Sequence, residues 1–198
     1  STGLISTTSV KASDLPKRDY IIILGADSLK SSTGLKSFVD YKSQTFDVTV
    51  VTMAEIGKQF VGVTDLVESL RQYLDTKVQT VPPYVLLVGT LPKIPMSRFF
   101  TYIDRPEYDA MTDACLLYNK PLSFFDDNGN GKPGELAEYV TSGLLQKFVI
   151  GRLPTDSVAT LDIYFPMLIQ AETRYESNPA LSGMVACAVT SFTEEFHY

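Results

Sequence analysis

The stretch Tyr-Ile-Ile-Ile-Leu-Gly-Ala at residues 20–26 decides the fold of this 198-residue chain. It is a short run of β-branched and other apolar side chains that ends in a Gly-Ala turn. Successive side chains of a strand point to opposite faces of its sheet, so neither face of this strand can meet water. Strands buried on both faces are typical of parallel sheets that helices cover on both sides. The stretch therefore predicts an α/β fold.

Two more apolar runs continue the pattern along the chain. Val48, Val50 and Val51 mark a second strand over Asp47–Met53, and Tyr84–Gly89 is a third. Segments with helical periodicity separate these runs, which gives the order β-α-β-α-β. That order indicates right-handed crossovers on a parallel sheet. The sequence thus predicts a mainly parallel sheet with helices on both faces.

Two amphipathic segments supply the first helices. One runs from Lys36 to Gln44. The other follows Thr64 or Asp65, either of which can cap it, with Glu68 placed to complete a capping box. Apolar spacing assigns the buried side of each helix. These buried residues are Leu35, Phe38, Val39 and Phe46 for the first helix, and Leu66, Val67, Leu70, Tyr73 and Leu74 for the second.

The chain departs from this regular pattern after Thr90. A long proline-containing loop leads to a short strand near Ala114–Tyr118, and the turn-forming run Asp126–Gly131 predicts a β-hairpin insertion. Phe148–Pro154 is another apolar strand that ends in a turn. A long helix follows over Ser157–Glu176. Its buried side is assigned to Val158, Leu161, Phe165, Leu168 and Ile169.

The last part of the chain sets the predicted domain division. Pro166 should kink the long helix, and Asn178-Pro179 ends it. One more apolar strand then covers Met184–Thr190, close to the last residue and with no helix after it. Such a strand suggests a truncated second unit. We therefore expect an N-terminal tail over 1–18, an α/β unit over 19–178 and the opening strand of a second unit over 179–198.

Composition excludes several classes of function. The chain has 17 Lys and Arg against 23 Asp and Glu, a net charge of −6, and no basic run that a nucleic acid would need. No apolar stretch approaches the roughly 20 residues that cross a bilayer, so no membrane span is predicted. Two cysteines make no disulfide framework, and a single histidine excludes a multi-histidine zinc site within the chain.

The segment from Asp126 is the best candidate for a ligand site. Asp126, Asn128 and Asn130 fall at positions 1, 3 and 5 of a calcium-loop pattern, and Gly131 takes position 6. Hard cations prefer such oxygen ligands, and the glycine allows the sharp turn around the ion. Position 12 is an alanine rather than a glutamate, for which Glu135 or Glu138 can substitute. The simpler interpretation is a turn alone, because Asn-Gly pairs favour hairpins.

The sequence gives little evidence for a nucleotide-binding site or a catalytic dyad. The loops after Gly25 and Gly89 lack the glycine-rich cradle and the lysine of a phosphate loop, so tight turns are predicted there. A Cys–His dyad would have to join Cys115 or Cys187 to His197. Both cysteines lie in apolar segments, where a thiol stays protonated and acts as a small hydrophobe. The acidic residues of the long loop, Asp104, Glu107 and Asp109, are interpreted as a solvated surface.

Several stretches together resemble the gingipain family of cysteine peptidases, in their order and in their spacing. The long helix ending in Tyr175-Glu176 follows in the family's order, and the resemblance covers roughly Tyr20–Thr190. The stretches that carry it are Tyr84–Gly89 with Pro95 soon after, Thr112-Asp113 with Tyr118 a few residues on, the Asp/Asn/Gly turn, and Phe148–Pro154.

This resemblance implies two α/β subdomains side by side in a caspase-like arrangement. The present chain is similar to the first, mainly scaffolding subdomain, whereas the second carries the catalytic His and Cys in that family. The family's catalytic histidine stands in a His-Gly context that does not occur here, and Cys187 comes too early in the order, so neither Cys187 nor His197 receives a catalytic role. The extra segment Leu136–Lys147 departs from the family pattern and weakens the transfer of a calcium site.

The function implied is the N-terminal, non-catalytic half of a cysteine endopeptidase that is secreted or held at the cell surface. Its partners would be the catalytic second subdomain of the same protein and a peptide or protein substrate. Two other interpretations stay open. One is a stand-alone, flavodoxin-like binding or scaffold module without catalytic activity, and the other is a pseudoenzyme of the same fold that serves adhesion or scaffolding.

Overall fold

A four-stranded parallel sheet forms the centre of the molecule. The computed structural model describes residues 17–100, 110–134 and 144–177. The sheet has the strand order β2-β1-β3-β6, and each neighbouring pair is parallel, as the sequence predicted. A separate antiparallel pair joins β4 to β5. The strands are β1 (Arg18–Leu24), β2 (Phe46–Thr52), β3 (Tyr84–Val88), β4 (Ser97–Phe99), β5 (Ala110–Thr112) and β6 (Val149–Leu153).

Five α-helices connect and cover these strands. Short 3₁₀ turns at Asp27–Ser31 and Leu122–Phe125 complete the described elements. Within the described parts of the chain, no helix is long and apolar enough to cross a membrane. The helices are α1 (Thr33–Lys42), α2 (Met53–Gln59), α3 (Leu66–Asp75), α4 (Ala114–Leu117) and α5 (Val158–Ser177).

The sheet separates two hydrophobic cores. On one face, α1 and α5 pack over the sheet, and Phe38 of α1 stacks on Phe165 of α5 with ring centroids 4.6 Å apart. On the other face, α2, α3 and α4 pack against side chains such as Ile23 and Leu87. Helices therefore cover both faces, and the predicted α/β class is confirmed.

Two details of the first crossover differ from the prediction. Phe46 does not lie on the first helix but begins β2, where its ring packs edge-on against Tyr20 and Tyr84. Only three residues separate α1 from β2, so Phe46 is close enough in sequence to continue the apolar periodicity of the helix. Helix α2 was not predicted at all. It begins directly after β2 through a capping box in which Thr52 and Glu55 satisfy each other's backbone amides.

Three details of the later segments differ as well. Asp65 caps α3 as predicted, but Glu68 binds Arg71 and Gln72 instead of completing a capping box. Leu66 is 42% exposed rather than buried, because it lies on the first turn of α3, away from the sheet. Ala114–Tyr118 is a single helical turn, not a strand, since four apolar residues carry too little periodicity to separate the two.

The predicted long helix is present, whereas the predicted hairpin insertion is built from other strands. The helix over Ser157–Glu176 is confirmed as α5, which continues as one helix through Pro166. The antiparallel pair is present, but β4 and β5 form it, and a 3₁₀ turn rather than a strand precedes Asp126. The strand predicted over Met184–Thr190 lies outside the described residues, as do residues 1–16 of the tail predicted over 1–18. The domain division stays a prediction.

A carboxylate of α5 fixes the beginning of α1. Asp162 accepts hydrogen bonds from the Gly34 amide at 2.9 Å and from the Ser32 hydroxyl at 2.6 Å. Ser32 in turn accepts the Leu35 amide and so caps the helix. The Gly34 amide, then the Ser32 hydroxyl, hold the pKa of Asp162 below its usual range. The charged carboxylate therefore stabilises the folded state.

We expect Asp162→Asn to flatten the acid limb of the stability curve. A carboxyl whose pKa is depressed by folding adds stability that is present above its unfolded pKa, near 4, and is lost as the pH falls through the folded value. Wild-type protein should thus lose this part of its free energy of unfolding below about pH 4, and the variant should not. Urea unfolding at pH 3 to 7 measures both curves. Parallel curves for the two proteins would contradict the role given to Asp162.

Candidate functional site at the carboxyl ends of the strands

The turns that follow β1 and β3 meet at the carboxyl end of the sheet, where open α/β folds bind ligands. Here the Gly25 amide donates to the Val88 carbonyl at 2.8 Å, and the Gly89 amide donates to the Leu153 carbonyl at 3.0 Å. A Cβ at Gly89 would lie 3.1 Å from the buried Ile94 side chain. Both glycine amides therefore extend the sheet, and Ile94 fills the crevice. The arrangement is the tight turn that the sequence predicted.

A partly buried ion pair lies at the end of β6. The guanidinium of Arg152 binds Asp113 through two hydrogen bonds, from Nη2 at 2.6 Å and from Nε at 3.1 Å. Its third contact is from Nη1 to the Ile94 carbonyl at 2.6 Å. The side chains of Arg152 and Asp113 are only 10% and 18% exposed. This paired geometry is the strong form of an Arg–carboxylate contact, and it ties the turn before α4 to the sheet.

Sequence reasoning found both halves of this pair but did not join them. Thr112-Asp113 and Gly151-Arg152 were each noted as motifs, 39 residues apart. Opposite charges in two otherwise apolar segments were the signal that could have suggested a contact. A second link lies nearby, where Asp156 accepts hydrogen bonds from the amide and the hydroxyl of Thr90. Together these contacts join the loops after β3 and β6.

Cys115 lies in α4 and is 1% exposed. Burial raises the pKa of its thiol, so the thiol stays protonated at neutral pH. Residues 17–100, 110–134 and 144–177 contain no histidine that could act as a base for it. Cys187 and His197 lie outside the described residues, as do Asp104, Glu107 and Asp109. The described part of the chain thus holds no Cys–His dyad.

The predicted calcium loop has a defined backbone. Asp126 accepts the Gly131 amide at 3.0 Å, Asn128 accepts the Asn130 amide at 2.9 Å, and Asn130 accepts the Lys132 amide at 2.8 Å. Gly131 has a φ of 79°, the left-handed conformation that glycine adopts without strain. Each of the three predicted oxygen donors therefore accepts a backbone amide of the loop.

One atom of this loop has an unmet hydrogen-bonding capacity. The Oδ1 atom of Asp126 is buried and has no hydrogen-bond partner. A buried carboxylate oxygen without a donor is costly, and a cation would relieve that cost. In the described residues, no three His, Cys, Asp or Glu side chains come together as a metal site. Among the described residues, Asp126, Asn128 and Asn130 offer side-chain oxygens to a cation in this loop, and Glu135 and Glu138 lie outside the described residues.

The loop is packed against the antiparallel pair. The Phe99 ring lies 4.9 Å from the Phe125 ring, and the Phe100 amide donates to the Pro133 carbonyl at 2.8 Å. A Cβ at Gly134 would come within 2.5 Å of the Phe99 ring. The loop, β4 and β5 therefore form one insertion, which the Asp113–Arg152 pair fastens to the sheet.

Comparisons with known proteins agree with this architecture. The chain is similar to a crystal structure of dimeric latent PorU from Porphyromonas gingivalis, with a TM-score of 0.53 and 16% sequence identity. That match covers 88% of this chain and 17% of the PorU chain, so the chain spans about a sixth of that protein's length. No curated protein sequence matches. The profile of peptidase family C25 matches residues 13–193. The chain therefore belongs to peptidase family C25, the gingipain family of cysteine peptidases.

Proposed function

We propose that this chain is the N-terminal, non-catalytic half of a gingipain-like cysteine endopeptidase. The observation that carries the proposal is the state of Cys115, which is enclosed in α4 with a raised thiol pKa and has no histidine among the described residues. A cysteine nucleophile needs a thiolate and a neighbouring base. The described residues combine neither, which supports a scaffold role for them, with the chemistry carried elsewhere in the protein.

The handedness of the fold excludes one position for a strand that follows α5. The connection through α1 moves from β1 to β2 over one face, and the connection through α2 and α3 moves back to β3 over the other face. Because these two connections run in opposite directions over opposite faces of the sheet, they are crossovers of the same handedness. Helix α5 lies on the α1 face, so a right-handed crossover after it cannot add a parallel strand beside β6 and would lead back toward the β2 edge.

The apolar run Met184–Thr190 therefore needs another position. Its side chains are apolar on both faces, as in a strand inside a sheet. We assign it to a second sheet, the opening strand of the catalytic subdomain. Exposed apolar side chains of this half, such as Val149, Ile163 and Met167, would be available to pack against that subdomain.

In the whole enzyme, a thiolate of the second subdomain would attack the carbonyl carbon of a peptide or protein substrate. The acyl–enzyme bond forms as the peptide C–N bond breaks, and a histidine gives its proton to the leaving amine. Water then hydrolyses the acyl enzyme. The half described here would supply the wall against which the catalytic half packs.

The experiment is a comparison of this chain with the full-length gene product. Each is incubated with a mixed peptide library and with a thiol-reactive probe. We expect turnover that the probe blocks in the full-length protein, and none in the 198-residue chain. Turnover by the short chain that the probe abolishes would overturn its assignment as inert. A full-length product without peptidase activity would favour the pseudoenzyme.

A stand-alone binding module is the second candidate. The strand order β2-β1-β3-β6 is the order with which flavodoxin-like sheets begin, and this observation favours it. A gene product that ends near residue 198, and a chain that folds stably and monomerically on its own, would support this candidate over the peptidase half.

We also propose that the loop from Asp126 binds calcium outside the cell. The buried, unpartnered Oδ1 of Asp126 and the left-handed Gly131 support this assignment. The loop lacks a glutamate at position 12, so its affinity should be low. Extracellular calcium-binding modules have dissociation constants of roughly 10⁻⁴–10⁻³ M. A loop of similar affinity would bind calcium outside the cell but not at cytosolic calcium concentrations. Secretion or cell-surface attachment is proposed on the same ground.

Calcium at about 2 mM should raise the thermal unfolding midpoint of the chain, because a ligand that binds only the folded state stabilises it. Asp126→Asn should abolish this shift. The matched control is Asp127→Asn, which removes the same charge from the neighbouring exposed residue and should leave the shift in place. Magnesium is the control ion. An equal calcium shift in both variants would contradict the site.

A further inference from the structure

Two Asn-Gly pairs follow one another in the loop from Asp126. They are Asn128-Gly129 and Asn130-Gly131, and all four residues are exposed. An asparagine before a glycine is chemically labile. The next backbone nitrogen can attack the side-chain carbonyl carbon, and glycine has no Cβ that would hinder the approach. The hydrogen bonds of the loop distinguish the two pairs.

The side chain of Asn128 is folded over its own Asn-Gly bond. Its Oδ1 atom accepts the Asn130 amide at 2.9 Å, which closes a turn around Gly129. This turn holds the Cγ atom on the side of the Gly129 nitrogen. The donated hydrogen bond polarises the Cγ carbonyl and would stabilise the negative charge that an attack places on Oδ1. The Gly129 amide donates to the neutral Asp126 backbone carbonyl at a long 3.3 Å. The nucleophile, the carbonyl carbon and an oxyanion donor therefore lie together at Asn128.

Asn130 has a similar turn but a restrained nucleophile. Its Oδ1 atom accepts the Lys132 amide at 2.8 Å, whereas the Gly131 amide donates to the Asp126 carboxylate at 3.0 Å. The attacking species is the amide nitrogen after it has lost its proton. At Gly131 a carboxylate binds that proton, and the nitrogen anion would form beside a negative charge. Attack at Asn130 is therefore slower than attack at Asn128.

We propose that Asn128 is a site of spontaneous deamidation, which converts the donor at position 3 of the calcium-loop pattern from an amide to a carboxylate. The Gly129 nitrogen loses its proton to solvent and attacks Cγ of Asn128. The new N–Cγ bond forms as the Cγ–Nδ2 bond breaks, and Nδ2 takes a proton from solvent and leaves as ammonia. Water then opens the cyclic imide. Opening at Cγ gives an aspartyl residue, and opening at the backbone carbonyl gives an isoaspartyl residue.

The consequence for ion binding rests on the calcium site proposed above. Calcium loops carry either Asp or Asn at position 3, and the number of charged ligands tunes their affinity. The aspartyl product would add a second carboxylate to that of Asp126 and so strengthen calcium binding. The isoaspartyl product routes the backbone through the former side chain and should disrupt the turn around Gly129. Deamidation at Asn128 thus changes the affinity of the loop in a direction set by the product.

Peptide mapping of the intact 198-residue chain, incubated at neutral pH with a calcium chelator, tests the modification. Mass spectra with fragmentation measure the conversion of amide to carboxylate at each asparagine over time. Asn128 should convert fastest, and Asn130 should be slower by at least about fivefold. Asn119, which precedes a lysine, is the internal control and should stay unchanged over the same period. In urea, which unfolds the loop, Asn128 and Asn130 should convert at similar rates.

Asp126→Asn tests the reason for the difference between the two pairs. The neutral amide places no negative charge beside the Gly131 nitrogen, so Asn130 should convert at least about fivefold faster than in wild type. The matched control is Asp127→Asn, which should leave the Asn130 rate in place. Asn128→Asp reproduces the aspartyl product, and its calcium-dependent thermal shift should be half-maximal at a several-fold lower calcium concentration than in wild type. The unfolding midpoint of each variant without calcium shows that the fold is retained.

A rate at Asn128 no faster than at Asn119 would overturn the proposal. Equal rates at Asn128 and Asn130 in the folded wild type, or an Asn130 rate that Asp126→Asn leaves unchanged, would contradict the role of the Asp126 carboxylate. An equal calcium response of wild type and Asn128→Asp would overturn the consequence for ion binding. If neither protein responds to calcium while Asn128 still converts, the calcium site is wrong and the modification site stands.

Discussion

Gly34→Ala should be among the most destabilising single-methyl additions in the described parts of the molecule. A Cβ at this position would lie 2.7 Å from the Asp162 Cα and closer still to the Leu161 carbonyl oxygen. These atoms belong to the backbone of α5, so no side-chain rotation can relieve the overlap. Overpacking costs roughly 1–3 kcal/mol and occasionally more, and we expect about 3 kcal/mol here. The thermal midpoint should fall by roughly 6–12 °C.

Gly57→Ala is the matched control for this change. Gly57 also lies in a helix, α2, but a Cβ there meets no atom within 4 Å. Alanine is a better helix former than glycine, so this variant should be more stable than wild type by up to about 1 kcal/mol. Urea unfolding of the two variants measures opposite signs for the same chemical change. A loss of similar size in both would contradict the close contact between α1 and α5.

Arg152→Met should also strongly lower the free energy of unfolding. Removing one partner of a buried ion pair leaves the other charge without compensation, which costs about 3–5 kcal/mol in a fully buried setting. Arg152 and Asp113 keep 10% and 18% exposure, so we expect about 2–4 kcal/mol. Exchange of amides in β5 and α4 should also become faster, because the pair fastens the insertion to the sheet. Chemical unfolding and hydrogen exchange measure the two effects.

A double-mutant cycle with Asp113→Leu separates the pair from its surroundings. The double variant D113L/R152M should lose much less than the sum of the single variants, since no lone charge remains. The comparison variant is K30M, which breaks the exposed Lys30–Glu55 pair, with side chains 40% and 41% exposed. That exposed pair should contribute far less to stability than the Arg152–Asp113 pair, because water screens its charges. Additive losses at Arg152 and Asp113 would show that the two residues act independently.

The main architecture follows from the sequence because its signals are redundant. Residues 20–26 and 84–89 are apolar on both faces, residues 47–53 contain three valines, and the helices between the strands have caps and buried stripes. The parallel sheet is thus predicted by each strand separately. The prediction for Ala114–Tyr118 was wrong because so short a segment shows no clear periodicity. Helix α2 was missed because it follows β2 directly at Thr52 and Met53, with no loop between them.

The candidate site was less predictable. Side chains that meet across the sheet, such as Asp113 and Arg152, belong to motifs far apart in the chain, and local patterns give no information on their distance. The calcium-loop spacing could be seen in the sequence because its donors are neighbours. The unpartnered oxygen of Asp126 could not, since it depends on how the Phe125 region packs against β4.

The uniform interior of β1 has a consequence for how the strand finds its alignment. Ile21, Ile22 and Ile23 are all at most 1% exposed, so sliding the strand by one residue would replace isoleucine by isoleucine in both cores. Polarity cannot penalise such slippage. Contacts at the two ends of the strand must therefore fix its register. At one end, Arg18 binds the Pro82 carbonyl, and its guanidinium lies 4.0 Å from the centre of the Tyr84 ring. At the other end, Gly25 occupies a space that holds no larger residue. Alignment of the central strand is therefore decided at its two termini.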